Sequence, residues 1–178
     1  SCHDSATNFP YLTTTKTPLR YILPHHYIEA LFSQGCTMRI VRLPGIHHDS
    51  NIVLAIGTLG NIIIDSGTSW YQSLQVERIQ GIISVDPSDS VRIDRILLTS
   101  RRFPCSGGAN HLASEFDNCT IHIHSEGQSS LATGDFFTTW ANRFDSDMPV
   151  TNTELVSDEE VFPLGNGQIC ALSLPGHC

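Results

Sequence analysis

Apolar residues in this chain fall in short blocks separated by Gly, Pro, Asn and Ser, a pattern that predicts strands alternating with helices. Thr37 to Leu43 predicts a strand with Arg39 and Arg42 at its polar positions. Asn51 to Ile56 and Ile62 to Asp65 are β-rich runs on either side of Thr58-Leu59-Gly60-Asn61, so a hairpin is expected. Ser66-Gly67-Thr68-Ser69 closes the second run and can cap a helix. Leu74, Val76, Ile79, Ile82 and Ile83 then fit a helix loosely, and Pro87 breaks it. Val91 to Ile96 leads into a short buried strand, Ile96-Leu97-Leu98-Thr99. A loop from Ser100 to Ser106 follows, then Gly107-Gly108 and a helix over Ala109 to Phe116. Cys119 to His124 predicts a strand, Ser125 to Thr133 a helix, and Val161 to Leu164 with Gln168 to Leu174 a late strand pair. Residues 1–36, with Pro10, Pro18 and Pro24, read as an irregular arm holding one short helix around Tyr27 to Phe32. A single domain over 37–178 follows it, with strands and helices layered as α/β or α+β.

The 178 residues are 40% hydrophobic and 16% charged, a globular balance with enough chain for one core. A net charge of -8 gives no field to attract nucleic acid or anionic lipid. No apolar run approaches the ~20 residues of a membrane span. Six cysteines (Cys2, Cys36, Cys105, Cys119, Cys170 and Cys178) form no CxxC pair, so buried or free thiols in a reducing, intracellular setting are expected. Asn118-Cys119-Thr120 fits the glycosylation triplet, a pattern common by chance. The compartment itself stays unassigned.

Three landmarks carry a family resemblance. Ile62-Ile63-Ile64-Asp65-Ser66-Gly67 is a buried strand ending in Asp-Ser-Gly. Leu97-Leu98-Thr99 opens a loop that closes on Gly107-Gly108. Leu174-Pro175-Gly176-His177 comes last. In this order they resemble the metallo-β-lactamase superfamily, whose Asp-x-Gly strand precedes Thr-His-x-His-x-Asp-His-x-Gly-Gly and a later Pro-Gly-His. Ile121-His122-Ile123-His124-Ser125-Glu126 and Leu131-Ala132-Thr133-Gly134-Asp135-Phe136 resemble its glyoxalase-II-like, acyl-CoA-thioesterase-type branch. The resemblance implies an αββα sandwich, two sheets face to face with helices outside. The sandwich is expected to be incomplete, because family members continue past Pro-Gly-His with a bridging Asp and a final His.

In that family the His and Asp side chains hold zinc, which lowers the pKa of bound water toward ~7 and polarises the scissile carbonyl. Here the motif's ligand positions fall on Ser100, Arg102, Pro104 and Cys105. Serine is a poor zinc ligand, arginine is a fixed cation, and proline has no ligand atom. Only Cys105, as a thiolate, and His177 could bind metal, with His111 as a possible helper. The alternative is a buried thiol beside an orphan histidine, so no cofactor is expected and zinc is a secondary possibility. Asp65 either supports the loop, as the resemblance implies, or caps its own turn. Asp135 precedes Pro-Gly-His and so does not match the bridging Asp. His122 and His124 share a strand face; the His25-His26 and His47-His48 doublets read as surface loops. Arg101 and Arg102 either form an anion site or pair with carboxylates. The function expected is a degenerate, non-catalytic metallo-β-lactamase-fold scaffold or interaction subunit. It is completed by a protein partner or by the rest of the fold. The alternative is a metal-dependent thioester or ester hydrolase with an altered site.

Overall fold

A computed structural model describes residues 19–23, 26–32, 38–84, 92–117, 119–146 and 149–175. The strands are β1 (Leu19–Leu23), β2 (His26–Phe32), β3 (Arg39–Leu43), β4 (Ile52–Ile56), β5 (Asn61–Ile64), β6 (Ile93–Leu97), β7 (Thr120–His124), β8 (Thr153–Val156), β9 (Val161–Pro163) and β10 (Gly167–Ala171). The helices are α1 (Gln72–Ile83), α2 (Phe103–Ser106), α3 (Ala109–Glu115) and α4 (Ser125–Thr133). The strands make a six-stranded sheet in the order β3-β4-β5-β6-β7-β8 and a four-stranded sheet in the order β1-β2-β10-β9.

The expected hairpin is present: β4 pairs antiparallel with β5. From β5 onward the large sheet runs parallel, which demands crossovers, and the helices supply them. β4 explains how the layers form, because alternate side chains point to opposite faces. Ile52, Leu54 and Ile56 join Val76, Ile79 and Ile83 of α1, Leu112 of α3 and Leu131 of α4 in one apolar cluster. Val53 and Ala55 join Phe162, Leu164 and Ile169 in a second cluster, between the sheets. Helices therefore cover one face of the large sheet and the small sheet covers the other. Each fully buried Ile or Leu in these clusters contributes roughly 1.5–3 kcal/mol.

Three differences from the sequence reading have physical causes. Residues 27–32 form a strand, not a helix. Tyr27, Ile28 and Phe32 favour extended backbone, and β2 is hydrogen-bonded on both edges, to β1 and β10. The stretch read as an irregular arm thus contributes two strands to the small sheet. β8 was not foreseen. It is four residues at the sheet edge with two exposed side chains, too short for a period to register. A bulge sets Asn61 opposite Ile93 but Ile62 opposite Arg95. It turns Ile93 and Ile96 to the same cluster, against simple alternation.

Candidate functional site

Parallel strands place the ends of β5, β6 and β7 on one edge, where loops can converge. At the end of β5, Asp65 adopts a left-handed backbone (φ 61°) that turns the chain sharply. Its N–H donates to Leu97 O at 2.9 Å. Its carboxylate accepts from Thr99 N at 2.8 Å and from Thr99 Oγ1 at 2.8 and 2.7 Å. Asp65 therefore ties β5 to the start of the next loop rather than capping its own turn. Burial pushes its carboxyl up to about 7, against the pull of Thr99 and of the Cys105 thiol.

The loop that starts at Thr99 is stitched down along its length. Ser66 donates through N and Oγ to Cys105 O, both at 2.8 Å. Ser50 N reaches Pro104 O at 2.9 Å, and Gly108 N reaches Gly67 O at 3.0 Å. Gly108 is required there, since a Cβ would stand 2.6 Å from Ser66 O. Pro104 sits in the first turn of α2, where a missing N–H costs nothing. A second carboxylate braces the frame from outside. Asp49 accepts from Thr68 N at 2.9 Å, Thr68 Oγ1 at 2.6 Å and Gln75 Nε2 at 2.9 Å. Arg78 in turn donates to Gln75 Oε1 at 2.9 Å.

The residues at the expected ligand positions point different ways. Ser100 is buried, and its Oγ accepts from Arg102 N at 3.2 Å. The Arg102 guanidinium lies 3.7 Å over the Trp140 ring, and Arg143 lies 4.8 Å from the same ring. Phe103 N fastens this arrangement to Thr139 O at 2.7 Å. Arg101 departs from Arg102: its Nη1 donates to Glu126 O at 3.1 Å. The two arginines thus do not form one anion site. Cys105 turns inward to Asp65, and burial, with the nearby Asp65 charge, pushes its thiol well above the usual range. A neutral thiol is a poor nucleophile.

The histidines are scattered as well. His122 faces the inter-sheet core, edge-on to Phe162 at 5.7 Å, with Nε2 2.8 Å from Thr120 Oγ1. Its Nδ1 is 3.7 Å from Glu154. Burial lowers its pKa, with Glu154 opposing. His124 caps α4 by accepting from Glu126 N at 3.4 Å. His47 stacks on Tyr71 at 5.6 Å, and His48 meets Phe144 edge-on at 5.9 Å. His111 sits on α3. His25, His177 and the Gly176 before it lie outside the described residues. Among the described residues, no three His, Cys, Asp or Glu side chains gather to hold a metal ion. The described loop does not fit the zinc set of the resemblance.

Sequence reasoning missed the Asp49–Gln75 brace and the Trp140 platform. Its one available signal was Gln75, a polar residue set among the apolar positions of α1.

No family model matches the chain, and no curated protein matches it. Solved structures do match. MEM-A1, a subclass B3 metallo-beta-lactamase from a soil metagenome, is 24% identical with a TM-score of 0.59, covering 82% of this chain and 53% of its own. The metallo-beta-lactamase SMB-1 bound to 2-mercaptoethanesulfonate is 21% identical with a TM-score of 0.60, covering 79% and 51%. A Cronobacter sakazakii metallo-beta-lactamase with a HARLDQ motif is 21% identical with a TM-score of 0.56, covering 71% and 44%. The fold of this chain is therefore the metallo-beta-lactamase fold, and the chain spans about half the length of these solved structures.

Proposed function

We propose that this chain is a metallo-beta-lactamase-fold protein that has given up metal-dependent hydrolysis and serves as a scaffold or interaction subunit. The observation that carries the reading is the loop itself. Ser100 and Pro104 supply no ligand comparable to His and Asp, and Arg102 is a fixed cation, which leaves Cys105 as the one donor among the four positions. Arg102 alone would not support it. In the HARLDQ motif of the Cronobacter protein, Arg also stands third of six, as Arg102 does counting from Ser100. The His and Asp of that motif, however, fall on Ser100 and Pro104. A partner protein or further chain of the same fold would complete the sandwich, in line with the share of the solved structures that this chain spans.

The second reading, a thioester or ester hydrolase with an altered metal site, draws on the retained Asp65–Thr99 frame and on that shared arginine. It would use Cys105 and His177 as ligands. Elemental analysis of the purified protein, run beside thioester and β-lactam hydrolysis assays, separates the two. We expect substoichiometric zinc and iron and no hydrolysis above buffer. Stoichiometric metal that is lost in Cys105→Ala overturns the non-catalytic reading.

A further inference from the structure

We propose that His122 is an acid-triggered release for the edge of the small sheet, its protonation freeing β9 from the large sheet. Strand β9 has one buried side chain, Phe162, between the exposed Val161 and Pro163. Phe162 belongs to the apolar cluster between the sheets, and His122 of β7 meets it edge-on at 5.7 Å. Among the described residues the one strand partner of β9 is β10. Its hold on the large sheet is therefore the packing of Phe162 and, just past its end, a bond from Leu59 N to Leu164 O at 3.2 Å.

His122 is only 4% exposed, yet just one of its ring nitrogens is bonded. Nε2 lies 2.8 Å from Thr120 Oγ1, while Nδ1 is buried with no hydrogen-bond partner among the described residues. Glu154 Oε2 on β8 is 3.7 Å from Nδ1, too far for a hydrogen bond, and its side chain is 62% exposed. The charged groups that face the ring come from three places. Burial opposes a proton most; Glu154 favours one, Arg95 on β6 opposes it, and Glu160, just before β9, favours it.

Arg95 is the reason that protonation acts on β9. Its guanidinium already lies 5.8 Å from the centre of the Phe162 ring. A proton on His122 sets a second cation beside that ring, buried and answered mainly by a carboxylate that water screens. Glu160 cannot close on the cation without giving up Ser157 N, which it holds at 2.8 Å. The imidazolium is relieved by turning outward to Glu154, which removes its contact with Phe162 and lets β9 lift.

The release needs neither metal nor partner, so it stands apart from the reading of the loop. The test follows hydrogen exchange of the purified protein, as protection factors, from about pH 7.5 to about pH 4.5, with the His122 ring signals read by NMR. Protection across residues 160–164 should fall roughly tenfold or more, in step with the ring, while β4 stays protected. His122→Gln, which keeps every other titrating group, should show no such step. Glu154→Gln should move the step to lower pH and Arg95→Gln to higher pH, and these two carry the test if His122→Gln does not fold. A ring that stays neutral throughout, a β9 that keeps its protection while the ring titrates, or the same step in His122→Gln would each overturn the proposal. So would a midpoint that neither charge variant moves, or a β4 that loses protection in the same step, which marks unfolding of the whole domain.

Discussion

Thr99 grips Asp65 twice, its amide donating to one carboxylate oxygen at 2.8 Å and its hydroxyl reaching both oxygens at 2.8 and 2.7 Å. Burial nevertheless wins, and the carboxyl rises from 3.8 to about 7. Between about pH 4 and pH 7 the unfolded chain has released a proton that the folded chain still holds. Stability therefore falls as pH rises through that window, by up to about 1.4 kcal/mol per pH unit, and levels off above it. His122 acts in the opposite sense, because burial holds its pKa below 6.5 and stability from it is lost as pH falls. The difference between wild type and Asp65→Asn isolates the carboxyl, since the His122 contribution cancels. Urea unfolding across the window should show the wild type losing stability relative to Asp65→Asn as pH rises. A flat difference means Asp65 is ionised throughout.

Cys105 is expected to be silent toward thiol reagents in the folded protein. Its thiol is held neutral, and the thiolate is the reactive form. Cys119, pushed up to about 11, should be slow as well. Iodoacetamide labelling followed by peptide mass spectrometry should find Cys105 modified only once denaturant is added. Rapid labelling of the folded chain at neutral pH would reveal a thiolate and favour the altered-metal hydrolase. Cys105→Ala should cost about 1 kcal/mol through a small cavity and a lost contact to Asp65.

The centre of the large sheet was legible because β4 and β5 are nearly continuous apolar runs. β4 is buried at all five positions, as a strand covered on both faces must be. Helix α4 matched its expected bounds, since Gly134 in the left-handed region stops it (φ 63°). Helix α1 looked loose because Gln75 occupies a core position, where its amide nitrogen is satisfied by Asp49, 26 residues away. No local pattern can carry such a pairing. Arg102 posed the same problem. Its charge was visible, but its partner Trp140 comes from a turn far along the chain. Strand β2 was misread because its partner β10 lies farther still along the chain, Phe32 pairing with Gly167.

Asp49 should prove one of the chain's more sensitive polar positions. Gln75 is fully buried, and Thr68 is too. Asp49→Ala strands the Gln75 amide, the Thr68 hydroxyl and the Thr68 N–H together. Stranded buried donors cost ~1–3 kcal/mol each, so a loss of about 3 kcal/mol or more is expected. The double variant Asp49→Ala with Gln75→Leu should recover part of that loss by removing one of the orphans. Chemical unfolding of the two variants measures this, and equal losses would mean that Gln75 finds another acceptor.

Gly67 has a different constraint, in the backbone. Its φ is 71°, and a Cβ there would stand 2.7 Å from Asp49 Oδ2. Gly67→Ala should therefore combine left-handed strain with displacement of the Asp49 carboxylate, and cost roughly 1–3 kcal/mol. Thermal unfolding should place it well below Gly81→Ala, where a Cβ meets nothing within 4 Å and a helix gains from alanine. Similar melting of the two variants would mean that Asp49 moves aside without loss.

Arg102 tests whether the cation at the loop is structural. The guanidinium lies 3.7 Å over the Trp140 ring, close enough for a cation–π contact worth about 0.5–2 kcal/mol. Arg102→Ala should lose that amount, and Arg102→Lys should recover only part of it, because an ammonium cannot stack flat on the ring. Arg143→Ala should cost less, its guanidinium being 4.8 Å away and exposed. The chain has two tryptophans, so a Trp70→Phe background reports on Trp140 alone. In that background Arg102→Ala should change the fluorescence of the folded state, while Arg143→Ala changes it less. If Arg102→Ala leaves both the emission and the unfolding midpoint unchanged, the arginine is not anchored by the ring.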